Sequence, residues 1–99
     1  FIHKLIPRAG VYAAEGLIEG DSVWHASMLN IGLRPTISDA DGRQTIEVHV
    51  IDFDADLYEK VVTVRFRHRL RDEMRFENVD ALAAQLIKDR EKTISLLGH

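Results

Sequence analysis

The sequence has no cysteine, which excludes disulfides, thiolate-held zinc and thiol nucleophiles and is compatible with a reducing cytoplasm. No apolar run approaches the roughly 20 residues that a membrane helix needs. The opening Phe1-Ile2-His3-Lys4-Leu5-Ile6-Pro7 is too short and too interrupted for a signal peptide. It also lacks an initiator methionine, so the chain is expected to come from the middle of a longer protein. Internal repeats and low-complexity tracts are missing. So are the phosphate-binding patterns GxxxxGK[ST] and GxGxxG and any signature of Ser/His/Asp chemistry. A net charge of −3 gives no overall reason to expect nucleic acid or an anionic membrane as partner.

What is present is ordinary globular protein: 99 residues, 45% hydrophobic and 29% charged, enough for one domain. Gly10–Leu17 reads as a short strand, Glu19–Ser22 as a tight turn, and Val23–Ile31 as the returning strand. Gly32 and Pro35 break that pattern. Ser38–Arg43 reads as a polar loop in which Asp41-Gly42 can take positive φ. Gln44–Phe53 alternates most clearly, with Ile46, Val48 and Val50 on one face and Thr45, Glu47 and His49 on the other. Asp54–Asp56 turns the chain. Val61–Leu70 alternates again, which predicts that Arg65, Arg67 and Arg69 share one surface. After Phe76 the period becomes helical: Asn78 fits an N-cap, Asp80 suits the helix dipole, and Gly98 fits a C-terminal cap.

Four segments in order resemble the riboflavin kinase family, especially the C-terminal kinase domain of bacterial bifunctional FAD synthetases. They are Pro7–Ala13 (PRAGVYA), Asn30–Thr36 (NIGLRPT), Thr45–Asp56 (TIEVHVIDFDAD) with Leu57-Tyr58, and Leu70–Phe76 (LRDEMRF). Each is weak singly; together they span nearly the whole chain. The resemblance implies an all-β fold, a Greek-key antiparallel barrel of six strands in the complete domain with one C-terminal α-helix. It implies an ATP-dependent transfer of the γ-phosphate to riboflavin, giving FMN and ADP with Mg2+, in a cytoplasmic enzyme with no nucleic acid or membrane as partner. Residues 1–99 would then be the kinase domain without its first strand. The family's Pro-Thr-Ala-Asn motif, which serves magnesium and the phosphates, is expected upstream of Phe1, and an adenylyltransferase domain covalently linked at the N-terminal side would fit a bifunctional enzyme. Metal ligands are accordingly expected outside this chain. Glu59 departs from the pattern, since the family usually has glycine there, and the turn is expected to differ in conformation.

By the same resemblance Glu47 matches the catalytic glutamate, a base toward the ribityl hydroxyl. Its bland alternative is a solvated glutamate on a strand's polar face. Val50, Asp52 and Tyr58 match positions that contact ATP; otherwise Val50 is core, Asp52 starts a turn and Tyr58 packs at a barrel end. Arg71, Met74 and Phe76 match the flavin-contacting loop before the helix, although Phe76 also suits a hydrophobic staple. Asn30–Thr36 matches without roles that can be assigned residue by residue.

Two other readings carry less. Glu47 and His49 share a strand face, but two ligands are too few for a metal site. The arginine-rich stretch Arg65–Arg75 would need interleaved exposed aromatics to bind RNA; a solvated face paired with Glu15, Asp52 or Asp54 accounts for it. The main alternative to the kinase is a non-catalytic flavin- or nucleotide-binding barrel fragment.

Overall fold

The alternating segments pair into one antiparallel sheet, seen in a computed structural model that describes residues 7–36, 39–53, 57 and 59–98, with backbone alone for 33–36 and 39–44. The strands are β1 (Gly10–Ile18), β2 (Trp24–Thr36), β3 (Asp39–Val50) and β4 (Val62–Arg71), and one helix follows, α1 (Val79–Leu97). Their lateral order is β3-β2-β1-β4. Three consecutive strands form a meander, and the fourth returns to lie beside the first, which is Greek-key connectivity. This agrees with the expected antiparallel architecture and its C-terminal helix.

Local chemistry fixes the ends. Gly20 has φ 88, and Asp21 N–H donates to Ile18 O at 2.8 Å, closing the expected turn between β1 and β2. Asn78 Oδ1 accepts from Ala81 N–H at 2.8 Å, and Gly98 at φ 73 donates its N–H to Ile94 O. Both caps fall where the sequence placed them.

Three expectations need correction. β2 does not stop at Gly32 but runs to Thr36, with a register shift between Arg34 and Thr36 at Pro35. A proline is tolerated at such an irregularity because the ladder there needs no N–H from it. Asp41-Gly42, expected in a polar loop, lies inside β3. Finally, β4 carries register shifts against β1, at Ala13/Ala14 and Val11/Tyr12. The first inserts Arg67 as an extra residue and reverses the alternation, because a bulge moves every later side chain to the other face. Arg65 therefore stands opposite Glu15, whereas Arg69 stands opposite Tyr12, with its guanidinium 5.9 Å from that ring. The common surface of three arginines does not form. The expected turn at Asp54–Asp56 lies outside the described residues.

The two sheet faces carry separate clusters. Tyr12, Leu29 and Ile31 pack with Val64 on one. On the other, Ala26, Met28 and Ile51 pack under Ile94 and Leu97 of α1. Only the C-terminal half of the helix is thus seated by apolar contact; Leu82, Leu86 and Ile87 remain 38–59% exposed. A buried ion pair holds the helix elsewhere. Arg71 Nη2 and Nε reach Asp89 Oδ2 at 2.7 and 3.1 Å, and Gln85 Nε2 adds a bond to Oδ1 at 3.0 Å. Burial pushes the Asp89 carboxyl up, but the bonds from Arg71 and Gln85 outweigh it and hold it below the usual carboxylate range.

On the same sheet face, Glu15 accepts from Arg65 Nε at 2.8 Å and Arg67 Nη1 at 2.6 Å. The Arg65 bond lowers the Glu15 carboxyl, burial opposes it, and Arg67 adds to the lowering, so the group titrates at about 2. A carboxylate depressed in the folded state contributes stability above its unfolded pKa and loses it as pH falls toward its folded one. Between about pH 4.5 and 2 this pair should cost the fold about 1–2 kcal/mol, reduced by solvent around the half-exposed arginines. Thermal melts at pH 7 and pH 3 check it: Glu15→Gln should lose less stability on acidification than the parent chain, and equal losses would refute the assignment.

Glu59 supplies a second local prediction. It takes the left-handed conformation, φ 66, that a glycine would adopt without strain. Such a conformation costs a non-glycine residue about 1–2 kcal/mol, and glycine gives back part of that in chain entropy. Glu59→Gly should therefore stabilise the fold by roughly 0.5–1 kcal/mol, a rise of a few degrees in Tm. A lower Tm would show that the glutamate side chain has a stabilising partner.

Candidate functional site

Register brings four residues from four strands into a single row. Arg71 pairs with Val11, Val11 with Asn30, and Asn30 with Glu47, so these side chains cross the sheet on one face over three strand spacings, roughly 14 Å. The next row repeats the pattern with His68, Ala13, Met28 and His49. Above the rows lies a groove of about 480 Å³, walled by α1 on one side and by residues 73–76 on another. Glu47 is exposed and opens into this groove beside His49.

The loop preceding α1 brings the Glu73 side chain over Gly32 of β2. A Cβ there would meet Glu73 Oε2 at 2.6 Å and Thr45 Oγ1 at 3.2 Å. Glu73, Met74 and Phe76 line the groove from this loop. Leu82, Leu86 and Ile87 complete the wall from the helix. The result is a concave, largely apolar cleft with a carboxylate at its β3 end and a guanidinium at its β4 end, the composition expected of a small-molecule site.

Of the residues singled out from sequence, Glu47, Arg71, Met74 and Phe76 share this groove. Arg71 is already engaged by Asp89 and by Asp72 O, although its five N–H groups leave donors on both terminal nitrogens. Val50 and Asp52 are not brought into the groove. Val50 is 4% exposed within β3, and Asp52 borders a second depression formed with Trp24, His25, Ile51 and Ile94. Asp52 has φ 56 and accepts from Arg90 Nη2 at 2.6 Å. Tyr58 lies outside the described residues. β3 is an edge strand among the described residues, so alternate backbone N–H and C=O groups face away from the sheet.

Sequence reasoning missed Asn30, Glu73 and the helix residues Leu82, Leu86 and Ile87. The helical trio carried a signal: its apolar stripe is longer than the part that Ile94 and Leu97 seat on the sheet. Asn30 stands in a segment that matches the family without an assigned role, and its place beside Glu47 depends on strand register. Each arginine of β4 pairs with a carboxylate within the chain. Arg65 and Arg67 bond Glu15, Arg69 bonds Asp72 at 2.7 Å and Arg71 bonds Asp89, while Arg65 also lies 4.0 Å over the Trp24 ring. No helix among the described residues is long and apolar enough to cross a membrane.

The family model and the curated relatives agree with each other. The sequence matches the riboflavin kinase (flavokinase) family over residues 2–97. It is 42% identical over 86 residues to the bifunctional riboflavin kinase/FMN adenylyltransferase of Pseudomonas fluorescens, covering 87% of this chain and 27% of that protein. The protein of the same description from Escherichia coli K12 is 41% identical over 86 residues, covering 87% and 26%. That from Bacillus subtilis is 30% identical over 96 residues, covering 96% and 30%. The chain thus spans about a quarter to a third of the length of these relatives. Among solved structures, one described as a macrolide-efflux protein from Streptococcus pneumoniae superposes with TM-score 0.80 at 32% identity, over 89% of this chain and 28% of that one.

Proposed function

The chain belongs to the riboflavin kinase family, and we propose that it transfers the γ-phosphate of ATP to the terminal ribityl hydroxyl of riboflavin, giving FMN and ADP. The observation that carries this reading is that Glu47 opens into the same groove as Met74 and Phe76, though they lie far apart in sequence. The apolar wall of Met74, Phe76, Leu82, Leu86 and Ile87 suits a planar aromatic ring system. Arg71, at the opposite end of the row, has N–H groups to offer a polar edge or a phosphate. With the ring against that wall, the ribityl chain extends along the row toward β3 and brings its terminal oxygen to Glu47.

Glu47 then accepts the hydroxyl proton as that oxygen attacks the γ-phosphorus, and ADP leaves from the far side. A side chain on a paired strand supplies orientation that a loop would not, and orientation is most of what phosphoryl transfer asks of a protein. The nucleotide is read at the outer edge of β3, where the backbone at Val50 would meet it, with Asp52 and Tyr58 assigned to it by the family resemblance alone. Magnesium, when bound, neutralises charge on the phosphates. Its ligands are expected in the Pro-Thr-Ala-Asn segment upstream of Phe1, and no step is derived through it.

Two further parts of the reading follow from the relatives. They are bifunctional and several times longer, which supports an adenylyltransferase domain in the same polypeptide. ATP as substrate also carries a cytoplasmic location with it. The test is to incubate the native-length protein with riboflavin and Mg-ATP and follow FMN by chromatography. Flavin binding without FMN would leave the non-catalytic flavin-binding barrel instead.

A further inference from the structure

We propose that Asn30 is a substrate-positioning residue: its side-chain carbonyl accepts a hydrogen bond from a secondary hydroxyl of the ribityl chain and so sets the terminal hydroxyl against Glu47. The inference rests on the riboflavin reading above and deepens it.

Asn30 is the cross-strand partner of Glu47 and lines the same groove. Its Oδ1 is buried yet finds no hydrogen-bond partner among the described residues. Buried polar atoms are satisfied in the great majority of cases, and a native exception calls for a cause, of which an absent ligand is one. The neighbour cannot supply the bond, because an ionised glutamate is acceptor-only. Asn30 Oδ1 and the Glu47 carboxylate are thus acceptors on adjacent strands, and Oδ1 is left without a donor. The ligand chemistry that resolves this is a chain of neighbouring alcohols, each with an O–H to give. Directly opposed strand positions have Cβ atoms about 5 Å apart, a separation that successive hydroxyls of a polyol can span. Asn30 would thus hold one hydroxyl while Glu47 takes the proton of the last.

The experiment compares two flavins in the native-length protein: riboflavin, and an analogue whose N10 side chain is a simple hydroxyalkyl with only the terminal hydroxyl. Asn30→Leu keeps the size and removes the acceptor. It should weaken riboflavin binding and lower kcat/KM for riboflavin by about tenfold, the effect of one lost neutral hydrogen bond, and leave the analogue's constants unchanged. Asn30→Asp, which keeps an acceptor, should bind riboflavin better than Asn30→Leu does. A structural role would weaken both flavins alike, so equal losses, or none, overturn the proposal while FMN formation by the parent protein keeps the riboflavin reading standing. If the parent protein binds and phosphorylates neither flavin, both fall.

Discussion

Replacing Glu47 by glutamine should lower the rate of FMN formation about 10²–10⁴-fold, the range for removing a general base, while riboflavin binding and melting temperature stay close to those of the parent. The side chain is exposed on a paired strand, so nothing in the packing depends on its charge, and glutamine preserves its shape. The readout is a split: kcat falls while the dissociation constant for riboflavin barely moves. Turnover within a few fold of the parent would remove Glu47 from the role of base. A matching fall in melting temperature would instead mean that the carboxylate supports the fold.

Removing the carboxylate of Asp89 should have the largest effect on stability. Asp89 is 3% exposed and receives three N–H···O contacts from Arg71. Its loss strands a guanidinium that is itself mostly covered. Breaking a buried pair by removing one partner costs about 3–5 kcal/mol, which for a domain of this size lowers the melting temperature by roughly 12 °C or more. Replacing both partners by apolar residues of similar volume, Arg71→Met with Asp89→Leu, should recover most of that loss, because the unpaired charge is then gone. A melting temperature for Asp89→Ala within about 2 °C of the parent would contradict the account. The ion pair also joins β4 to the helix beside the groove, so flavin affinity should fall with stability in Asp89→Ala.

Which parts of this were readable in advance follows from the range of the interactions concerned. The strand alternation of Glu47 and its apolar neighbours, the Asn78 cap and the Gly98 cap are local, and each sits where periodicity and capping chemistry place it. The surface of three arginines failed because one extra residue at Arg67 reverses a two-residue period, and nothing in Val62–Arg71 marks where it falls. β2 runs on past Ile31 because Gly32 does not interrupt it and a register irregularity accommodates Pro35. The groove belongs to a third class. Glu47 and Phe76 meet only through strand pairing and helix docking, so their union was legible through family resemblance and not through spacing. Asn30 belongs to a segment that carries the resemblance, but its role depends on strand register.

The lateral order of the strands bears on how the protein is made. β1, among the first residues described, is the spine of the sheet, yet its second neighbour is β4, roughly half the chain later. A ribosome would release the β1–β2–β3 meander, with Glu47 already in line beside Asn30, before Arg71 and the helix had emerged. The cleft therefore cannot take up its substrate until the final third of this segment is synthesised, since closing so long a loop must wait for the far end.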